Sequence, residues 1–156
     1  MATFIVQISN YLNRKLKDLW NKGSVAKGSP LHFSKYESLG KKLIGLDAIK
    51  RRLLFVKQSE HKTSCCVIDL EEVQTCSVRI SYNSIEAGAL KKRKLEEYLN
   101  TICLAFRFKN GRKAIMLPFY ETNADDIRDI PVLETKAKDW MNTLSKMLPF
   151  ATKERA

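Results

Sequence analysis

Residues Leu99 to Tyr120 read LNTICLAFRFKNGRKAIMLPFY, and this stretch constrains the fold more than any other. Ile102, Leu104, Phe106 and Phe108 recur at every second position, so they share one face of an extended strand. Asn110-Gly111 follows. Both residue types tolerate a positive φ, which makes the dipeptide a strong signal for a tight reversal. Ile115, Leu117 and Phe119 then resume the alternation on a returning strand from Ala114 to Tyr120. Pro118 has no amide to give a sheet ladder, which assigns it to an edge strand or a bulge. Such a hairpin has one apolar face and must bury it against another element.

The C-terminal stretch PVLETKAKDWMNTLSKMLP can supply that cover. Leu133, Ala137, Trp140, Leu144, Met147 and Leu148 fall on one helical stripe. Pro131 suits the first turn of this helix and Pro149 stops it. Asp125, Asp126 and Asp129 precede it, where negative charge is favourable near a helix N-terminus.

Upstream, VQTCSVRISY alternates, with Cys76, Val78 and Ile80 on one face and Thr75, Ser77 and Arg79 on the other. CCVIDL, Leu53–Lys57 and Leu43–Leu46 read as three further strands, separated by the turns QSEHKTS and DAIK. NSIEAGALKKRKLEEYL interrupts the pattern. Asn83 and Glu86 resemble the capping pair of a helical insertion, but Gly88 disfavours a helix, and a long loop fits equally.

The first thirty residues have another texture. In FIVQISNYLNRKLKDLW, the residues Phe4, Ile5, Ile8, Leu12, Leu16, Leu19 and Trp20 make one helical apolar face. NKGSVAKGSP then has a linker composition. The expected organisation is a basic amphipathic helix and linker over 1–38, a folded domain over 39–150 and a disordered tail over 151–156.

At 156 residues the chain can bury roughly 70% of the surface it exposes when unfolded, so neither metal nor disulfide is required to hold it. Its net charge of +11 favours an anionic partner, such as nucleic acid, anionic lipid or an acidic protein. The excess is uneven. Residues 1–62 hold thirteen Lys and Arg against four Asp and Glu, a surplus of nine, whereas residues 121–156 hold six against seven. Cys65, Cys66, Cys76 and Cys103 all sit in strand-like apolar runs, which points to reduced thiols in a cytoplasmic protein. No run reaches the ~20 apolar residues of a membrane span, and no signal peptide is recognisable.

About six to seven antiparallel strands followed by one amphipathic helix resembles the pleckstrin-homology-like (PH-like) superfold. The texture of LIGLDAIKRRLLFVK and CCVIDLEEVQTCSV resembles small bacterial proteins of that kind. The resemblance runs from Leu39 to Leu148. It implies an α+β, mainly β fold: a bent antiparallel sheet or barrel capped by the C-terminal helix, with the N-terminal amphipathic helix added. It also implies a non-catalytic binding module, since members of the superfold bind phosphoinositides, peptides or proteins.

Two groups of residues are candidates for an anionic surface. Arg14, Lys15, Lys17 and Trp20 lie beside the apolar face of the N-terminal segment, the pattern of an interfacial helix at the inner face of a membrane. The same face could instead pack on the domain or on a second copy. ATFIVQI could also end a longer apolar segment with the basic residues as its cytoplasmic flank. Lys50, Arg51 and Arg52 match the location of phosphate-gripping cations in lipid-binding PH-like domains, beside the first hairpin. The turn is short for a headgroup, and a solvated hairpin competes with that reading. Lys91–Lys94 is a second cationic block, followed at once by Glu96 and Glu97.

Catalysis, metals and cofactors find no support in the pattern. His32 and His61 stand outside any triad context. Cys65 and Cys66 point to opposite faces of one strand, so they cannot readily share an ion with His61. ETNADDIRD lacks the glycine and terminal glutamate of a calcium loop. A nucleic-acid binder is the alternative class, although no aromatic residues interleave with the basic blocks to stack bases.

Overall fold

The computed structural model describes residues 33–59 and 61–149. Among these residues seven strands precede an α-helix: β1 (Lys35–Leu39), β2 (Lys42–Asp47), β3 (Arg52–Gln58), β4 (Thr63–Asp69), β5 (Val73–Tyr82), β6 (Leu99–Phe108), β7 (Ile115–Glu121) and α1 (Ile130–Ser145). Two sheets form, one in the order β1-β2-β3-β4 and one in the order β5-β6-β7, with every pairing antiparallel. They pair separately and do not close into a barrel. A mainly β domain with a C-terminal helix is thus in place. The expected N-terminal helix lies outside the described residues.

The alternation read from the sequence carries through. Ile102, Leu104, Phe106 and Phe108 of β6 are all buried, as are Leu117 and Phe119 of β7. Gly111 takes the positive φ the reversal needs, at 71°. The Asn110 side chain accepts a hydrogen bond from the Arg112 amide at 3.1 Å. Pro118 satisfies both of its permitted roles. β7 is an edge strand, and the β6–β7 register shifts between Ile102 and Cys103, whose partners are Tyr120 and Pro118.

Helix α1 lies on the three-stranded sheet, contacting β5, β6 and β7. Leu133, Ala137, Trp140 and Leu144 are buried along its stripe, and Leu148 follows just beyond the helix end. Asp126 caps the short 3-10 turn Ile127–Asp129 that leads into α1, accepting from the Arg128 amide at 2.9 Å.

β1 is the strand the sequence hides, and the sheet therefore begins ahead of Leu39. Its sequence KYESL offers no apolar stripe, because the half-buried positions are Lys35 and Glu37. These two residues hold the helix. Glu37 accepts the Trp140 indole N–H at 2.8 Å and pairs with Lys136 at 3.2 Å. Lys35 sits over the Trp140 ring, 4.6 Å from its centroid, and donates to Thr143 Oγ1 at 3.4 Å. Trp140, 0% exposed, thereby buries a large ring while its polar N–H stays bonded. The contacts tie the helix on one sheet to the outermost strand of the other.

Candidate anionic-surface site

The cationic block Lys50–Arg52 occupies the β2–β3 turn. With β1 in place this is the second hairpin, not the first as the sequence suggested. The turn is built into the fold. Asp47 Oδ1 accepts from the Lys50 amide at 3.0 Å. Arg51 adopts a left-handed conformation with φ 54°, rare for a residue bearing a Cβ. Its guanidinium pairs with Glu71 at 2.9 Å and donates to the Met147 carbonyl just past α1. Its own carbonyl accepts from the Leu70 amide at 2.9 Å. Arg51 therefore ties three elements at one end of the domain. Arg14, Lys15, Lys17 and Trp20 lie outside the described residues.

The opposite end of the four-stranded sheet carries the β1–β2 and β3–β4 turns. There the fold builds a charge cluster that the sequence did not reveal. Lys42 shares the inward face of β2 with Ile44 and Leu46 and is only 2% exposed. Its ammonium contacts Asp125 Oδ2 at 2.7 Å, the Phe119 carbonyl at 3.3 Å and Glu121 Oε2 at 3.6 Å. Lys57, opposite Lys42 in the β2–β3 register, pairs with Glu121 Oε1 at 2.7 Å. Asp125 Oδ2 also accepts from the Glu121 amide at 2.9 Å. Glu121 Oε2 is buried without a hydrogen-bond partner and faces the Lys42 ammonium at 3.6 Å. Two ammonium groups and two carboxylates thus neutralise one another where the two sheets meet. Lys42, at 2% exposure, stays charged there only because it is paired, whereas Lys57 at 35% keeps part of its hydration.

A cleft of about 310 Å³ opens beside this cluster, lined by Lys57, Asn100, Thr101, Glu121, Thr122, Asn123 and Ala124. Its hydroxyls are already engaged. Thr122 donates to the Leu99 and Asn100 carbonyls, and Thr101 bonds Ser81 at 2.6 Å. The cleft places β3 and the end of β7 next to the start of β6. The root of the β5–β6 loop therefore lies at the same end of the domain as the β1–β2 and β3–β4 turns, whose Lys41 and Lys62 are exposed.

That loop, residues 83–98, is neither a helix nor extended strand. It holds two 3-10 turns, Ala89–Lys91 and Leu95–Tyr98, with Gly88 at φ 82° before the first. Neither turn buries a residue. Ten large hydrophobic side chains are exposed among the described residues, and Ile80, Tyr82, Ile85, Leu90 and Leu95 cluster in or beside this loop. Lys91, Lys92, Arg93 and Lys94 are exposed between Leu90 and Leu95. Arg93 alone of the four forms an ion pair among the described residues, at 3.9 Å from Glu97.

The cysteines are free thiols distributed over β4, β5 and β6. Cys76 pairs in register with Phe106 and Cys103 with Arg79, so these two lie three residues apart along the sheet. Burial pushes the Cys76 thiol up to about 12. Burial, with Cys66 adding to it, pushes Cys65 to about 11. Among the described residues no group of three or more His, Cys, Asp or Glu is placed to hold a metal, and no helix is long and apolar enough to cross a membrane.

Comparison of the chain with protein-family models, curated proteins and solved structures finds no match. The fold and its surfaces define the class on their own: a mainly β domain of two antiparallel sheets and a C-terminal helix, with exposed cationic loops.

Proposed function

We propose that this chain is a non-catalytic, PH-like binding module that serves as an adaptor at an anionic surface, on the cytoplasmic face of a membrane. The strand order, four then three with the helix last, supports the PH-like assignment. One observation carries the functional reading. The deep ionic groups are consumed in mutual pairs, whereas the exposed rim loops carry Lys41, Lys62, Lys91, Lys92 and Lys94. Residues 33–149 without Glu60 hold twenty-one Lys and Arg against fourteen Asp and Glu, a surplus of seven, so the bias is not confined to the N-terminal segment. Cations near an anionic leaflet each add roughly 1 kcal/mol of attraction, which salt weakens. Arg14, Lys15, Lys17 and Trp20 would add to this attraction from the N-terminal segment. An acidic protein partner would exploit the same field.

Sedimentation of the whole chain with phosphatidylserine-containing and pure phosphatidylcholine vesicles tests the proposal. Binding should occur on the anionic vesicles and fall as salt rises. No binding to either composition removes the membrane reading. Salt-dependent binding to random duplex or single-stranded nucleic acid, without vesicle binding, would favour the nucleic-acid alternative.

A further inference from the structure

We infer that the β5–β6 loop is the element by which this domain docks on an anionic bilayer, Leu90 and Leu95 entering the interface while Lys91, Lys92 and Lys94 meet the lipid phosphates. The inference rests on the anionic-surface reading above and assigns it a place in the fold.

Four observations converge on this loop. First, it is the main concentration of exposed apolar side chains among the described residues: Ile85, Leu90 and Leu95 within it, Ile80 and Tyr82 at its entry. Leu90 is 55% and Leu95 43% exposed, and what counts is their grouping with three more exposed apolar residues in one stretch of chain. Apolar side chains grouped on a polar rim mark an interaction surface. Second, the cations lie between the two leucines, so an apolar insertion and a phosphate contact would be made by one short segment. Third, the loop is tied to the domain mainly at its root. The Asn83 amide donates to the Tyr98 carbonyl at 2.7 Å, and the backbone bonds between these residues stay within the loop. The leucines therefore serve no core that would account for them. Fourth, the loop's root lies at the same end of the domain as the turns that carry the exposed Lys41 and Lys62, so these charges have the sign the docking needs.

The loop also carries Glu86, Glu96 and Glu97. Glu97 is paired with Arg93, which is why the contact is assigned to the three lysines. A bilayer fits better than nucleic acid because the side chains that flank the cationic run, Leu90 and Leu95, are aliphatic and offer no stacking face, and the exposed aromatic of the group, Tyr82, stands at the loop's entry rather than beside the cations. Lys50–Arg52 makes the poorer docking element. Arg51 is spent on Glu71 and Met147, and the turn lies at the far end of the four-stranded sheet.

The test uses the full chain and vesicles of phosphatidylcholine mixed with phosphatidylserine, whose negative surface potential attracts polybasic segments. One variant combines Lys91→Gln, Lys92→Gln and Lys94→Gln. A second combines Leu90→Ser and Leu95→Ser. A charge-matched control combines Lys113→Gln, Lys138→Gln and Lys146→Gln, exposed positions away from the loop. Each lysine that meets lipid is worth about fivefold in affinity, so the loop triple should weaken binding about a hundredfold and the control far less. The leucine pair should weaken vesicle binding while leaving any nucleic-acid binding unchanged. A Leu90→Trp chain should gain quenching by lipids brominated in the acyl region, a direct sign of insertion. Unchanged melting curves confirm that the variants fold, as expected where no residue is buried.

If the unchanged chain binds anionic vesicles and both loop variants bind equally well, the loop assignment is wrong and the surface reading survives. Equal losses in the loop triple and its control reduce the effect to net charge and overturn the loop assignment too. If the unchanged chain binds no vesicles, both fall. If the lysine triple abolishes nucleic-acid binding and the leucine pair affects nothing, the loop contacts nucleic acid instead.

Discussion

Lys42→Met is the sharpest perturbation of the fold, because it keeps the aliphatic length of the side chain and deletes only the ammonium. That ammonium is 2.7 Å from Asp125, 3.6 Å from Glu121 and 3.3 Å from the Phe119 carbonyl, and the side chain is 2% exposed. At an effective dielectric of 20, the closest pair attracts by roughly 6 kcal/mol, most of which is offset by desolvating the two ions. The substitution strips both carboxylates of this cation and leaves the carbonyl without this donor. Removing one partner of a buried pair costs about 3–5 kcal/mol. Asp125 and Glu121 keep 14% and 24% exposure, so partial rehydration should hold the loss to about 3 kcal/mol. In a chain of this size that is a fall of roughly 6–12 °C in Tm. Adding Asp125→Asn to Lys42→Met should recover about 1 kcal/mol, since one stranded charge is then gone. Urea denaturation of the two single variants, the double variant and the unchanged chain gives the cycle. A Lys42→Met chain within about 0.5 kcal/mol of the original, or a cycle that is simply additive, refutes the reasoning.

Four further outcomes rest on the same structure. Trp140→Phe removes the indole N–H that Glu37 accepts and some ring volume, and should lower stability by about 1.5–3 kcal/mol in thermal melts. Arg51→Ala and Arg51→Gly both lose the ties to Glu71 and Met147, but glycine is at ease at φ 54°, so the glycine variant should be the more stable of the two by about 1 kcal/mol; the reverse order in urea titrations contradicts the strain assignment. Cys65 and Cys76 have folded pKa values raised from 9.0 to about 11 and about 12, so their contribution is complete below pH 9 and is lost as pH climbs from 9 towards 12, where the unfolded chain releases thiol protons that the folded chain retains. Melts above and below pH 9 check this sign. At pH 8 a thiol reagent should label the folded chain slowly and all four cysteines at once in denaturant.

Local pattern made most of this fold readable. The β6–β7 hairpin and α1 declared themselves because an alternating or helical apolar stripe, a glycine at a positive φ and flanking prolines all agreed. β1 has no apolar signature because its inward positions include Lys35 and Glu37, whose partners Trp140, Lys136 and Thr143 lie about a hundred residues away. A charged residue reads as solvent-facing until its distant partner is known. With β1 paired to β2, the turn that carries Lys50–Arg52 is the second hairpin of its sheet, where the apolar runs alone make it the first. Lys42 was invisible for the same reason. It shares a period with Ile44 and Leu46, yet its counterions Glu121 and Asp125 are remote in sequence. The stretch over 83–98 admits both a helix and a loop in sequence, and the fold takes the loop. Its apolar and charged residues follow no regular period, and the chain there settles into isolated 3-10 turns around Gly88.

The central claim is that one end of the domain, and the β5–β6 loop in particular, is the anionic-surface face. Backbone amide NMR of the whole chain, titrated with nanodiscs of phosphatidylserine and phosphatidylcholine, reads this residue by residue. Within the folded domain, the largest losses of signal should fall on Ile85 to Leu95, with smaller ones at Lys41 and Lys62, and phosphatidylcholine alone should leave the spectrum unchanged. Changes centred on Lys50–Arg52 and Glu71, or an unaltered spectrum with both lipids, would contradict the account.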